Sequence, residues 1–481
     1  MQKLRNFLFF NSNTRQTIVK NTFWLFMAEA SGRLLKMGLI IYAARKLGAD
    51  GWGIFAYAIS VASLLMLFSD IGISSLIIRD TIQKKDGYQI FISTALLLKI
   101  ILLLISIAAV FFISPYISNI EESRTLFPII GLIFLFDAIR EVGFAINRAL
   151  EKMEREMMIK VIMNSIILVL GIILVSVKPL PIAVAIAYAT GSGIGAFLIS
   201  IIIKNHILEL ITKTNLKTLK LVLKTALPFA IITLMGSIMA NTDIYMLGIW
   251  KTPEDIGMYS VAQRFYQFIL IIPSMIASAI LPLMSRLANN DNDKFRIVLE
   301  KTILVFMIIG IPIAFGGLVL ADQIMPLVFG PIYINAIPVL QIFMIMLLTS
   351  FPLILLINTT LVYNEQKKLV LANIFGVLMN VILNYLLIPK FGITGAALAT
   401  LVSSATVTFI VWVKIKKINH FEILPSFKNI FLPVMAMTLA TLALKYLGIH
   451  VLLNITISAL IYLAVIFLKE KSLIEEIKGI R

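Results

Sequence analysis

From Phe23 almost to the C-terminus the chain is a succession of apolar runs, each about 20 residues long. Runs of that length cross a bilayer as helices, because a helix satisfies its own backbone hydrogen bonds where no water is available. Strands of a transmembrane barrel would be about 10 residues long and would alternate apolar with polar, which these runs do not. Only 14% of the 481 residues are charged, against about a quarter in a soluble domain. The sequence therefore predicts an all-α polytopic membrane protein.

Fourteen spans fit the pattern: 21–44, 53–78, 88–114, 125–148, 157–178, 181–203, 225–250, 256–285, 297–320, 334–360, 367–388, 393–414, 427–446 and 449–468. With the N-terminus inside, the even-numbered connections and both tails are cytoplasmic. These hold about 30 of the 42 Lys and Arg residues, the outer loops hold about 7 and the spans about 5, as expected of cytoplasmic loops. The same bias accounts for the net charge of +17. No basic soluble domain is evident that would bind nucleic acid. Residues 1–20 read as an amphipathic cytoplasmic lead-in. "LRNFLFF" within it is too short for a signal peptide and lacks a small-residue cleavage site. The basic stretch 204–224 reads as a cytoplasmic loop. It separates an N-lobe (21–203, six spans) from a C-lobe (225–414, six spans), and 415–481 holds the last two spans and a cytoplasmic tail.

The two lobes carry a weak repeat. "LGADGWGIFAYA" (47–58) joins the first two spans, and "LGIWKTPEDIGMYSVA" (247–262) joins the seventh and eighth. Aligning Gly53 with Gly257 gives an offset of about 204 residues. "PIAVAIAYATGSGIG" (181–195) matches "GITGAALATLVSSAT" (392–406) at about 211. Two six-helix bundles repeated this way share one orientation and suit alternating access through a midplane cavity.

Charged residues inside the spans are the strongest functional signal. Glu29, Arg33 and Lys36 lie at i, i+4 and i+7; Asp137, Arg140 and Glu141 at i, i+3 and i+4. Each trio occupies one helix face. Asp70, Lys99, Asp243 and Arg264 complete the set. A central ionised residue costs about 2.5–3.5 kcal/mol on insertion scales, so these residues face one another or a hydrated cavity. Arg33, Lys36, Lys99 and Arg140 fall near the middle of their spans. Arg33 and Arg264 are the first candidates to grip an anion, since guanidinium binds phosphate oxygens bidentately; Lys36, Lys99 and Arg140 follow. Lys99 also fits a snorkelling residue at a span edge. Glu29, Asp70, Asp137, Glu141 and Asp243 are candidates for salt bridges or for coupling to protons or cations, and Asp243 and Arg264 are candidates to pair.

Other chemistry is missing from the sequence. It has no GxxxxGK[ST] loop, no cysteine and only His206, His420 and His450, scattered in loops. No cofactor or metal is expected, and energy has to come from a proton or sodium gradient, the membrane potential or the substrate gradient. Pro273, Pro312 and Pro352 fall inside predicted spans, with Pro228 in a first turn, and predict bends in the second half.

Three segments resemble the polysaccharide repeat-unit (O-antigen type) flippases of the multidrug/oligosaccharidyl-lipid/polysaccharide exporter superfamily. They are "LGADGWGIFAYA" with "FSDIGISSLIIRD" (68–80), "ANTDIYMLG" (240–248) with "IGMYSVAQRFYQF" (256–268), and "NYLLIPKFGITGAALATLVS" (384–403). In the last, Gly392 and Gly395 suit a tight turn and a close helix contact. The resemblance implies two six-helix lobes in a V with two extra C-terminal helices. It implies movement of an isoprenoid-diphosphate-linked oligosaccharide to the outer leaflet of the cell membrane. Arg33 and Arg264 sit where members of that family carry cations. Polysaccharide polymerase and chain-length proteins are the partners it suggests. Alternatives are a peptidoglycan- or teichoic-type precursor flippase, a multidrug exporter of the same superfamily, or a membrane glycan polymerase or ligase. An exporter of cationic drugs would favour an acidic cavity. An enzyme would need a catalytic loop, and only the adjacent Glu254 and Asp255 of "PEDIG" offer one.

Overall fold

A computed structural model describes residues 14–70, 72–73, 88–211, 216–422 and 424–469. Most of the lead-in, the end of the second span and the tail after Lys469 lie outside the described residues. The described residues form α1 (Thr14–Met66), α2 (Tyr88–Phe112), α3 (Phe127–Ala149), α4 (Met153–Val177), α5 (Pro181–Ile211), α6 (Leu216–Trp250) and α7 (Pro253–Ile269). There follow α8 (Ile271–Asn290), α9 (Asn292–Phe329), α10 (Ile337–Val362), α11 (Gln366–Asn419), α12 (Leu424–Tyr446) and α13 (Val451–Lys469).

Helix α1 has 53 residues and α11 has 54. At 1.5 Å per residue each is about 80 Å long, more than twice the hydrocarbon thickness of about 30 Å. One glycine interrupts each. Gly48 has φ 74° and ψ 179°, and Gly392 has φ 59° and ψ −136°, conformations that side chains resist. The turn expected at Gly392 is present. Each long helix is therefore two successive helices joined through a single left-handed residue. Among the described residues, nine helical stretches are long and apolar enough to cross a membrane, two of them, of 50 and 52 residues, containing these breaks. Large apolar side chains such as Leu104, Ile105, Phe409 and Leu468 are exposed, as suits surfaces facing lipid.

Packing groups the chain into one unit up to Gly257 and another from Met258 onward. In the first, α1 runs along α4, α3 and α4 both pack on α5, and α6 lies against α1 and α2. Leu39, Met163 and Ile167 form one core cluster, and Phe144, Ile146, Ile159, Ile199 and Ile203 another. In the second, α10 packs on α9 and α11, and the α12–α13 pair is seated on α9. Phe343 packs against Tyr259 and Tyr266, and Phe306 against Phe351.

The internal repeat is visible in the backbone. A 3-10 turn at Glu121–Leu126 precedes α3, and another at Pro331–Ala336 precedes α10; each leads into a helix with proline at its start. The α3–α4 turn bonds Leu150 to Ile146, Glu151 to Arg148 and Lys152 to Asn147. The α10–α11 turn bonds Tyr363 to Thr359, Asn364 to Leu361 and Glu365 to Thr360, the same pattern. Glu151 and Asn364 both have φ 56°. The same helix-ending pattern also closes α12 at Leu447, Gly448 and Ile449, with Gly448 at φ 70°, so what marks the repeat is the uncommon non-glycine left-handed residue at equivalent places in two turns.

The glycines that set the offset also meet. A Cβ on Gly53 would land on the carbonyl oxygen of Pro253, and a Cβ on Gly257 would land on that of Ala49. Residues 49 and 253 are as far apart in sequence as 53 and 257, so the contact is reciprocal. Gly395 likewise has no room for a side chain, because a Cβ there would strike the Leu387 carbonyl.

The structure departs from the sequence reading in two places. Much of 204–224, expected as loop, is helix, with α5 reaching Ile211 and α6 starting at Leu216; its Lys and Leu residues are good helix formers. The predicted span 256–285 lies within one apolar stretch long enough to cross a membrane, Pro253–Ala288, which bends at Leu270 between α7 and α8. Pro273 lacks the N–H that would bond the Ile269 carbonyl, so it sits in the first turn of α8 rather than inside a helix. Pro312 and Pro352 are inside α9 and α10 as expected.

Candidate functional site

The charged faces of α1, α3 and α4 form a run of alternating signs. Arg148 clamps Glu156 through two bonds, Nε to Oε2 at 2.8 Å and Nη2 to Oε1 at 2.6 Å. Lys160 reaches Glu156 at 3.0 Å and Glu29 at 2.5 Å. Glu29 meets Arg33 at 3.6 Å. The run goes from buried to open: Glu156 is fully buried, while the Arg33 side chain is 43% exposed. Three cations and two carboxylates leave a surplus positive charge. Lys36, one turn beyond Arg33, is half-buried and has no hydrogen bond or ion pair with a described residue. The Lys160 Nζ also lies 5.5 Å from the centre of the Phe144 ring, a distance at which the ring face attracts a cation.

The sequence reading placed Glu29 beside Arg33, as found, but missed Arg148, Glu156 and Lys160. Arg148 and Glu156 fell at span ends, where charge raises no question. Lys160 lay inside a span, four residues from Glu156, and that i, i+4 spacing was the available signal.

A second group of charges lines a cavity of about 340 Å³ in the first unit. Asp70, Lys99, Asp137 and Glu141 contribute, with Ser63, Ser69, Ser237, Asn241 and the Phe134 ring. Lys99 donates to Asp70 at 2.7 Å and Arg140 to Asp137 at 2.6 Å. The partners are unequally exposed. Lys99 and Arg140 side chains are 4% and 8% exposed, Asp70 and Asp137 32% and 35%. The carboxylates are the more exposed partner of each pair, although Lys99 also lines the cavity. Glu141 is exposed and has no ion pair with a described residue.

Asp243 is fully buried on α6, in the first unit. Arg264 is on α7 in the second unit and donates to Gln267 at 3.2 Å. The second unit pairs ions in more exposed places, such as Lys445–Asp322 at 2.8 Å, and its buried polar groups form neutral networks. Tyr266, which is buried, donates to Ser350 at 2.6 Å. Asn419 donates to both Tyr363 and Asn292. Asp255 of "PEDIG" forms a capping box at the start of α7: its backbone N–H donates to the Thr252 hydroxyl at 3.3 Å, and the Thr252 hydroxyl to its carboxylate at 3.2 Å. That role accounts for the carboxylate without chemistry. Among the described residues no group of three His, Cys, Asp or Glu side chains is placed to hold a metal.

Comparison with known proteins adds the following. The family model described as "Polysaccharide biosynthesis protein" matches residues 18–288, and the MatE model matches 228–386. The chain is 25% identical over 399 residues to the capsular polysaccharide biosynthesis protein CapF of Staphylococcus aureus, covering 80% of this chain and 96% of CapF. It is 22% identical to a putative O-antigen transporter of Shigella flexneri, covering 80% and 94%. It is 32% identical over 167 residues to the probable low-salt glycan biosynthesis flippase Agl15 of Haloferax volcanii, a match spanning 34% of this chain and 35% of Agl15. In fold it is similar to the lipid II flippase MurJ in an inward closed conformation, with TM-score 0.74 and 19% identity over 94% of this chain and 99% of that one.

Proposed function

Because the chain belongs to the polysaccharide biosynthesis protein family, we propose that it is a flippase that carries an isoprenoid-diphosphate-linked oligosaccharide from the cytoplasmic to the outer leaflet of the cell membrane. It is a multi-pass membrane protein of the multidrug/oligosaccharidyl-lipid/polysaccharide exporter superfamily. The reading makes it a transporter, not an enzyme, working beside polysaccharide polymerase and chain-length proteins and driven by a proton or sodium gradient or by the membrane potential.

One observation carries the site assignment: the charge run on α1, α3 and α4 ends in an open Arg33 with Lys36 one turn away. Glu29 divides its attraction between Lys160 and Arg33, at 2.5 and 3.6 Å. The shorter contact is to Lys160, which leaves the guanidinium able to turn toward a diphosphate. Arg33 and Lys36 are then the phosphate-binding residues of the first unit, and Arg264 their counterpart in the second. Lys99 and Arg140 serve as counter-ions to Asp70 and Asp137 rather than as ligands.

The test is transfer of a fluorescent isoprenoid-diphosphate oligosaccharide across proteoliposomes by wild type, Arg33→Ala and Arg264→Ala, with melting temperatures matched. We expect transfer by wild type and at least a tenfold loss in both variants. Transfer undiminished in the variants would remove the arginines from the site. Transport of cationic dyes in place of the glycolipid would point to the drug-exporter alternative.

A further inference from the structure

We propose that the cavity between α1, α2, α3 and α6 is a subsite for a neutral carbohydrate, holding the glycan by its hydroxyl groups while the diphosphate is bound elsewhere. The proposal rests on the flippase reading above and deepens it. Lys99 lines the cavity but is 4% exposed and tied to Asp70 at 2.7 Å, and Arg140 is tied to Asp137, so the cavity meets carboxylates whose charge is largely balanced. A phosphate finds there only a cation already committed to Asp70, and the unbalanced Glu141 carboxylate repels it. A metal ion or organic cation finds two of the three carboxylates already neutralised.

Hydroxyl groups are the matching donors. A carboxylate with one oxygen on a lysine or arginine still has lone pairs on its other side, and bonds to it remain charge-assisted. Ser63 and Ser237 can donate or accept, Ser69 can accept because its hydroxyl already donates to the Met66 carbonyl at 2.7 Å, and Asn241 lines the same wall. Ser60 on α1 donates to the Asn241 Oδ1 at 3.2 Å, which fixes that amide's orientation. Phe134 adds an aromatic ring to the lining, a group that packs against the C–H side of a sugar ring. A volume of about 340 Å³ is near the lower end for small-molecule sites, so part of a glycan fits rather than a long chain. The wall charges also need a reason to stay hydrated at membrane depth. About a third of each aspartate side chain remains open.

The test compares binding of two probes to the full chain in nanodiscs: undecaprenyl diphosphate, and the same lipid bearing a neutral disaccharide. The variants are Glu141→Ala, which removes an exposed carboxylate without unpairing a cation, and Ser237→Phe, which fills the cavity. Wild type is expected to bind the glycosylated probe at least tenfold more tightly, about the worth of one hydrogen bond to a charged group. The variants are expected to lose that preference while keeping their affinity for the bare diphosphate and their melting temperature. Free disaccharide should compete in wild type only. Equal binding of both probes by wild type, or a preference unchanged in both variants, overturns the subsite and leaves the flippase reading standing. Loss of both probes in a well-folded variant reassigns the cavity to the diphosphate. Failure of wild type to bind either probe removes the flippase reading and the subsite with it.

Discussion

The two halves of this chain repeat one backbone and differ in what they bury. The α3–α4 and α10–α11 turns share a hydrogen-bond pattern and a left-handed residue. Yet the first half holds its polar interior together with ions, as in Arg148–Glu156–Lys160, and the second with neutral groups, as in Tyr266–Ser350 and Asn292–Asn419–Tyr363. Backbone geometry therefore follows the repeat, while chemistry does not. Buried ion pairs are costly unless every partner is present, and the proposed binding of an anionic lipid by this half would be a demand other than stability.

The comparison can be broken at its charged end first. Glu156→Ala leaves Arg148 and Lys160 facing each other without the carboxylate between them. It is expected to destabilise the protein by about 3–5 kcal/mol, the range for breaking a buried pair, and to lower yield and melting temperature in detergent. The glycine contact comes next. Gly53→Ala and Gly257→Ala each push a methyl group into a backbone carbonyl, an overpacking expected to cost about 1–3 kcal/mol. Because both act on one contact, the double variant should cost less than the sum in a double-mutant cycle of melting data. Full additivity would show that the two positions do not share a contact. The smallest effect is expected in the neutral half: Tyr266→Phe removes one hydroxyl from a hydrogen bond worth about 1 kcal/mol. A loss as large as that of Glu156→Ala would erase the contrast between the halves.

The sequence displayed the scaffold more clearly than the site. Apolar run lengths predicted the helices, and the Gly53–Gly257 alignment predicted a repeat that the turns reproduce. Gly392 was legible because only glycine suits that break. The equivalent turns at Glu151 and Asn364 were not, since nothing in those side chains requires a left-handed backbone. Pairing was also hidden. Arg33, Lys36, Lys99 and Arg140 looked alike as basic residues at membrane depth. Only the structure separates Lys99 and Arg140, buried and paired with aspartates, from Arg33, which is open. That distinction depends on which helix lies beside which, and periodicity does not encode it. Glu156 escaped notice because it lies in the first turns of α4, where a carboxylate near a helix N-terminus is ordinary.

The Gly53–Pro253 and Gly257–Ala49 contact has a mutational consequence. A surface on which residue i meets j while j meets i is the signature of two identical chains meeting about a twofold axis. Here both copies are encoded in one gene product. A contact built this way has two points of failure for one closure: a side chain at either glycine strikes a main-chain carbonyl, so neither position can change alone without opening both.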